Sequence, residues 1–433
     1  MAARLRGTLN LAADKSIAHR ALLFSAMGSG TAEVEIREPG ADVLSMAAAM
    51  EQLGAATRLE ERDGALRFRI TGGATATHAA LPGDAPATLD CGNSGTMMRL
   101  LMGAATTRAG ATTLIGDESL SARPMERVAG PLRASGAELS TTEGHAPVTI
   151  SPTAIAACQH NLPVSSAQIV GALTLAALPA SGTTTITTPG PTRDHTERML
   201  AWLGVDIRRE GNTTTLTGPA NWQNKDIAVP ADPSGAAFWL VAGAIHPDAE
   251  IVMPNVGLNP TRIGVIRILE RMGAKVESVA TGSRGPEPAG DLVIHSGQRL
   301  NAIHLEADDV ADVIDELPIL AIAMAAAEGT STVRGAHELR VKESDRIDLM
   351  VRGLAQLGYD VVEHEDGWDI TGRPVDLGAA DPHAPTIRTE GDHRIAMAFA
   401  IANLSGVGAC EVDDPDCAAV SYPSFFEHLA SLT

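Results

Sequence analysis

RALLFSAMGSGTAEVEI, residues 20–36, runs from apolar residues at helical spacing, through a glycine break, into a short β-branched strand. The same phrase returns as MMRLLMGAATTRAGATTLI (97–115), QIVGALTLAALPASGTTTI (168–186), AAFWLVAGAIHPDAEIV (236–252), LPILAIAMAAAEGTSTV (317–333) and RIAMAFAIANLSGVGACEV (394–412). A second phrase alternates with it, an amphipathic helix that stops at Gly before another strand: MAAAMEQLGAATRLE (46–60), VAGPLRASGAELSTT (128–142), TERMLAWLGVDIRRE (196–210), IRILERMGAKVESV (266–279) and IDLMVRGLAQLGYDVVE (347–363). Gly just past the last helical residue is the usual left-handed cap. SFFEHLASLT (424–433) starts a sixth copy at the chain end. Each unit thus holds two helices, each followed by strand. Six ordered units predict an α/β protein with two similar halves. There is no G-x-G-x-x-G and no Gly-Lys dipeptide, which excludes the dinucleotide fingerprint and the P-loop.

The 433 residues carry 53 acidic and 33 basic side chains, a formal charge of −20, and only 3% aromatics. Nucleic acid and anionic membrane are poor partners for such a surface, because counterion release needs cations and single strands need stacking platforms. The acid excess is equally compatible with a high-salt habitat. The 4 cysteines, 91, 158, 410 and 417, include no C-x-x-C pair and read as buried apolar residues of a reducing compartment. The longest uncharged apolar run, Leu317–Ala327, lies between Glu316 and Glu328 and is too short for a membrane span. Arg4 and Arg6 are followed by Asp14 and Lys15 without a long apolar region, so no signal peptide is expected. The expectation is a cytoplasmic protein.

Lysine occurs four times only, at 15, 225, 275 and 342, against 29 arginines. Two of the four fall in charged clusters at helix entrances. ADKSIAHR (13–20) sets Lys15 at a helix start and puts Ser16 and Arg20 on one face. LDCGNSGTMMR (89–99) brackets Asn93 and Ser94 with Gly92 and Gly95, so that a ligand can approach the backbone. DESLSARPM (117–125) holds Arg123 before Pro124, which favours an extended conformation. IDELP (314–318), HELRVKESDR (337–346) and EGDHRIAM (390–397) are the richest: Asp315 and Glu316 precede an apolar helix, Ser344 is placed to cap the next, and Arg346 and Arg394 sit in first turns. An Arg there opposes the helix dipole unless an anion is bound. Local cations in an acidic body point to small ligands with at least two anionic groups, and Asp315 and Glu343 among them to proton transfer.

These residues resemble 5-enolpyruvylshikimate-3-phosphate synthase, the 3-phosphoshikimate 1-carboxyvinyltransferase family, over essentially the whole chain. DKSIAHRA, GNSGTMMRL, SLSARPM, TRDHTERML (192–200), ADPSGAAF (231–238), IDELPIL, ELRVKESDR and GDHRIAM occur in the family's order. The resemblance implies a two-domain inside-out barrel of six βαβαββ repeats, three per domain, with one domain at 14–229 and the other at 1–13 plus 230–433, closing over a cleft. It implies transfer of the enolpyruvyl group of phosphoenolpyruvate to the 5-hydroxyl of shikimate 3-phosphate with release of phosphate, by addition and elimination.

By motif match, the resemblance makes Asp315, Glu343 and Lys15 catalytic. It assigns Lys15, Gly95, Arg123, Gln168, Arg346 and Arg394 to phosphoenolpyruvate. To shikimate 3-phosphate it assigns Lys15, Ser16, Arg20, Ser165, Ser166, Gln168, Arg193, Asp315 and Lys342. It implies no metal, no organic cofactor and a monomer. Some members carry a Lys before the aromatic-Pro motif near the C-terminus, where this chain has Ser421 in VSYPSFF (420–426). Gly95 stands where some relatives insensitive to glyphosate carry Ala, so sensitivity is expected. The sister enzyme, which uses a nucleotide sugar as acceptor, typically has a Cys in its ARP loop and KN in its first motif. This chain has ESLSARP and KS. A non-catalytic metabolite-binding scaffold is the alternative of another class, and it would have no need of Asp315, Glu343 and Lys15 together.

Overall fold

In a computed structural model of the chain, residues 4–59, 61, 62, 64–153, 155–282, 285–297, 299–375, 377 and 383–433 are described. The chain divides into two compact units. One comprises Met1–Asp14, Pro230–Ser283 and Pro288–Thr433, the other Lys15–Val229 and Arg284–Glu287. Asp14 belongs with the first unit rather than opening the second, because its N–H bonds the Pro230 carbonyl at 2.8 Å and its carboxylate is held by Arg262.

The Lys15–Val229 unit contains three four-stranded sheets of one plan. In the first, Ile227–Ala228 runs parallel to Thr31–Arg37, which is antiparallel to Ala65–Thr71, which in turn pairs with Ala56–Arg58. Ala87–Asp90, Thr112–Ile115, His145–Ile150 and Leu139–Thr142 repeat that order. So do Gln159–Asn161, Gly182–Thr187, Thr213–Gly218 and Ile207–Glu210. Alternation decides which face is covered: in Thr31–Arg37, Ala32, Val34 and Ile36 are buried while Thr31, Glu33 and Glu35 face outward.

The other unit repeats the plan twice. Leu5–Thr8, Ala249–Gly257, Ala289–His295 and Val276–Ala280 form one sheet, and His304–Leu305, Gly329–Val333, Gly367–Gly372 and Asp360–His364 another. A third sheet has two strands, Thr386–Ile387 and Glu411–Val412, in parallel. The first strand of the chain, Leu5–Thr8, therefore pairs with a strand some 240 positions later, at Ala249. The late strand Ile227–Ala228 completes the sheet begun at Thr31.

Most of the described helices are of the two kinds read from the sequence. Lys15–Met27, Gly95–Ala104, Ala167–Ala177, Pro233–Ile245, Leu317–Ala325 and His393–Leu404 carry the first phrase. All nine residues of Leu317–Ala325 are buried, as expected of a helix apolar all round. Ala41–Gln52, Glu126–Ala134, His195–Leu203, Gly264–Met272 and Arg346–Gln356 carry the second. Gly204 and Gly273 cap two of these at φ 97° and 108°, in the left-handed region where a side chain is strained. Close helix approach explains another glycine: a Cβ on Gly103 would collide with the carbonyl of Ala172. No helix among the described residues is long and apolar enough to cross a membrane.

Candidate active site

In the Lys15–Val229 unit the charged motifs converge on helix entrances. Lys15 is the first residue of its helix, and its Nζ lies 3.0 Å from Asp42 Oδ2. One turn on, His19 is fully buried, with Nδ1 2.7 Å from the Lys15 carbonyl and Nε2 2.8 Å from Ser94 Oγ. A carbonyl only accepts, so Nδ1 carries the proton and Nε2 accepts from the Ser94 hydroxyl. Burial depresses the His19 pKa to about 4 despite the nearby Asp42, keeping the ring neutral. Ser94 also caps Gly95–Ala104 through the Met97 N–H. One neutral histidine thus ties the Lys15 helix start to the GNSGT loop. Arg20, 3% exposed, donates from Nε to Thr196 Oγ1 at 2.9 Å and from Nη1 to the Ser16 carbonyl at 2.9 Å.

Around Gly95 the cations crowd. A Cβ there would sit 3.2 Å from Arg99 Nη1 and 3.4 Å from Arg123 Nη1. Arg123 Nη2 is aimed by Asn93 Oδ1 at 2.7 Å, and Asn93 is fixed in turn by Asp117 at 2.8 Å. Arg99 Nη1 donates to Gln168 Oε1 at 2.6 Å, which turns the Gln168 amide nitrogen toward Thr96 Oγ1 at 3.1 Å. Ser166 caps the Ala167–Ala177 helix through the Ile169 N–H. Ser165 accepts from the Gly190 N–H at 2.8 Å, joining that helix entrance to the segment leading to half-buried Arg193.

The second cluster lies in the unit of Pro230–Ser283 and Pro288–Thr433. Asp315 Oδ1 is 3.3 Å from Lys342 Nζ and 3.8 Å from Arg346 Nη1, and its carbonyl accepts from Arg394 Nη1 at 2.7 Å. Arg346, 1% exposed, reaches Glu343 Oε2 at 2.6 Å and Asp392 Oδ2 at 2.8 Å. Burial alone would lower the Arg346 pKa, but Asp392 and Glu343 outweigh it and hold the guanidinium above its ordinary value. Burial alone would raise the Asp392 pKa, but Arg346 overrides it and the carboxyl titrates below its usual range. Asp392 also caps His393–Leu404 through the Arg394 N–H at 2.9 Å. A helix entrance, three carboxylates (Asp315, Glu343 and Asp392) and three cations (Lys342, Arg346 and Arg394) are thereby fixed together. Such a set neutralises anions and handles protons at one place.

Two details differ from the sequence expectations. Asp345, not Ser344, caps the Arg346 helix, accepting the Asp348 N–H at 3.1 Å, while Ser344 Oγ donates to Asp392 Oδ2 at 2.9 Å. Arg99, Asp392 and His19 were not singled out, although each holds a residue that was. Arg99 had a signal, since it lies four residues from Gly95 on the same helix face. Among the described residues no group of three or more His, Cys, Asp or Glu is placed to hold a metal ion.

A family model for EPSP synthase (3-phosphoshikimate 1-carboxyvinyltransferase) matches residues 1–429. The chain belongs to the EPSP synthase family. It is 43% identical over 431 residues to the 3-phosphoshikimate 1-carboxyvinyltransferase of Limosilactobacillus fermentum, covering 99% of this chain and 96% of the relative. It is 39% identical over 431 residues to the enzyme of the same name from Bacillus subtilis, with 99% and 97% covered. The EPSP synthase structure from Acinetobacter baumannii superposes with a TM-score of 0.85 at 39% identity, over 99% of this chain and 96% of that one. The enolpyruvyl transferase NikO from Streptomyces tendae shares the fold alone, with a TM-score of 0.76 at 20% identity. The chain is an enzyme of the carboxyvinyltransferase class.

Proposed function

We propose that the two clusters carry out the reaction for which the family is named, transferring the enolpyruvyl group of phosphoenolpyruvate to the 5-hydroxyl of shikimate 3-phosphate. The observation that carries this is Asp315 and Glu343 fixed among Lys342, Arg346 and Arg394 in one unit. In the addition step Asp315 takes the proton of the attacking hydroxyl while its oxygen bonds to C2 of the donor. Glu343 delivers a proton to the methylene carbon, giving a tetrahedral intermediate. Elimination returns a methyl proton to Glu343, re-forms the double bond and breaks the C2–O bond, so phosphate departs with its P–O bond intact and takes up the proton that Asp315 had removed from the hydroxyl. Lys15 neutralises developing charge as a second cation and proton partner.

Gly95, Arg123, Gln168, Arg346 and Arg394, with Lys15, bind phosphoenolpyruvate. Arg346 is suited to this because its orientation is fixed in advance by Asp392. Ser16, Arg20, Ser165, Ser166, Arg193 and Lys342, with Lys15, Gln168 and Asp315, bind shikimate 3-phosphate. The helix entrances at Ser16 and Ser166 favour anionic groups. The strand orders support six βαβαββ repeats, three in each domain, of an inside-out barrel, with the short Thr386–Ile387 and Glu411–Val412 sheet as the sixth repeat. We take the enzyme to be a cytoplasmic monomer needing neither metal nor organic cofactor. The test is phosphate release from phosphoenolpyruvate with each of two acceptors. Release with shikimate 3-phosphate and none with UDP-N-acetylglucosamine is expected, and the reverse pattern assigns the chain to the sister activity.

A further inference from the structure

Behind Asp315 lies a second, buried bank of charge. Glu316, 2% exposed, accepts a hydrogen bond on Oε1 from the Ser234 hydroxyl. Ser234 Oγ in turn accepts from Arg262 Nη2 at 2.8 Å. Arg262, its side chain 3% exposed, also reaches Asp14 Oδ2 at 2.8 Å and Asp232 Oδ1 at 2.9 Å. Burial alone would lower the Arg262 pKa, but Asp14, Asp232, Glu316 and Asp315 together hold it above its ordinary value. Asp14 and Glu316 are buried beside this guanidinium, and buried negative charge is costly unless cations lie close to it. Arg394 is close: its Nη1 is 3.9 Å from Glu316 Oε1. That same nitrogen donates to the Asp315 carbonyl at 2.7 Å.

We propose that Glu316 is a fixed counter-charge that moderates how tightly Arg394 holds the anionic donor, and that Ser234 sets its strength. The proposal rests on the assignment of Arg394 to phosphoenolpyruvate made above. Glu316 and the donor draw on one guanidinium, and at this burial water screens their mutual repulsion poorly. The donor therefore binds against a standing negative charge. Weaker ground-state binding leaves more of the binding energy to be realised in the transition state. The Ser234 hydroxyl occupies Glu316 Oε1 and keeps the Arg394 contact longer than a direct hydrogen bond. Glu316 is thus a positioning residue that acts through Arg394.

Two variants move the donor KM in opposite directions. Glu316→Gln keeps the shape and an oxygen to accept from Ser234 but removes the charge. Its KM for phosphoenolpyruvate falls about three- to tenfold, with the KM for shikimate 3-phosphate unchanged. General loosening of a fold does not tighten binding, so a merely structural residue would not give this result. Ser234→Ala keeps the charge and releases Oε1 toward Arg394, and its donor KM rises about threefold or more. A donor KM in Glu316→Gln at or above wild type overturns the proposal, as does a Ser234→Ala shift in the same direction. If Glu316→Gln does not fold, Ser234→Ala decides alone: a raised donor KM with the KM for shikimate 3-phosphate unchanged supports the proposal, and any other outcome overturns it. Wild-type enzyme that releases no phosphate with shikimate 3-phosphate sinks the functional assignment itself. Normal wild-type release with variants of the wrong sign sinks only the role of Glu316.

Discussion

Arg346 Nε and Asp392 Oδ2 lie 2.8 Å apart with 1% and 0% of their side chains exposed, joining the starts of two helices through a charge pair out of contact with water. Asp392 is therefore the foundation on which a donor-binding arginine stands. Replacing it with Asn leaves Arg346 with Glu343 at 2.6 Å and the more distant Asp315 at 3.8 Å as carboxylate partners and weakens the cap of the His393 helix. Asp392→Asn is expected to lose about 3 kcal/mol of stability, seen as a lowered melting temperature, and most of its turnover. A variant with wild-type melting and turnover would show the pair to be dispensable.

Gly95 has no left-handed φ, so Ala is admissible to the backbone there; the conflict is with the tips of Arg99 and Arg123 at 3.2 and 3.4 Å. Gly95→Ala is expected to leave melting within about 0.5 kcal/mol of wild type while raising the donor KM several-fold. The unsubstituted enzyme is expected to be inhibited by about millimolar glyphosate at saturating shikimate 3-phosphate. The Ala variant needs more. Inhibition curves for the two proteins check both statements.

Glu343 touches Arg346 at 2.6 Å, and Gln in its place keeps an acceptor oxygen but has no proton to deliver to carbon. Glu343→Gln is expected to lower kcat by about 100- to 10,000-fold with little change in either KM, measured by steady-state phosphate release. Unchanged turnover would remove it as the carbon acid.

His19 is neutral in the fold, with a pKa near 4 against an ordinary 6.5. The unfolded chain takes up a proton there first, so stability is fully present above about pH 6.5 and declines as pH falls toward 4, by up to about 3 kcal/mol. Comparing melting temperatures at pH 7 and pH 4.5 for wild type and His19→Gln isolates this contribution from that of the carboxylates. The variant is expected to lose less stability across the interval.

The repeat was legible because each of its elements is local. Apolar periodicity marks the buried helices, and Gly204 and Gly273 mark where two of the amphipathic ones end. The charged motifs were legible because helix entrances concentrate unpaired N–H groups and so reward a fixed set of residue types. What escaped was set by partners far along the chain. Ser344 reads as well as Asp345 for a cap, and only the claim of Asp392 on the Ser344 hydroxyl, 48 positions away, decides between them. Asp392 itself reads as an ordinary cap, and nothing near it announces Arg346. Leu5–Thr8 carries no sign that its neighbour begins at Ala249, because parallel pairing has no turn to fix it.

That exchange of border strands orders events during synthesis. Leu5–Thr8 leaves the ribosome first and waits for Ala249–Gly257 before it can dock, while the sheet begun at Thr31 stays open on one side until Ile227–Ala228 arrives. A nascent chain halted once Gly218 has emerged would thus expose one orphan segment and one unfinished edge at once. Clipping the first eight residues would injure the half of the molecule made last.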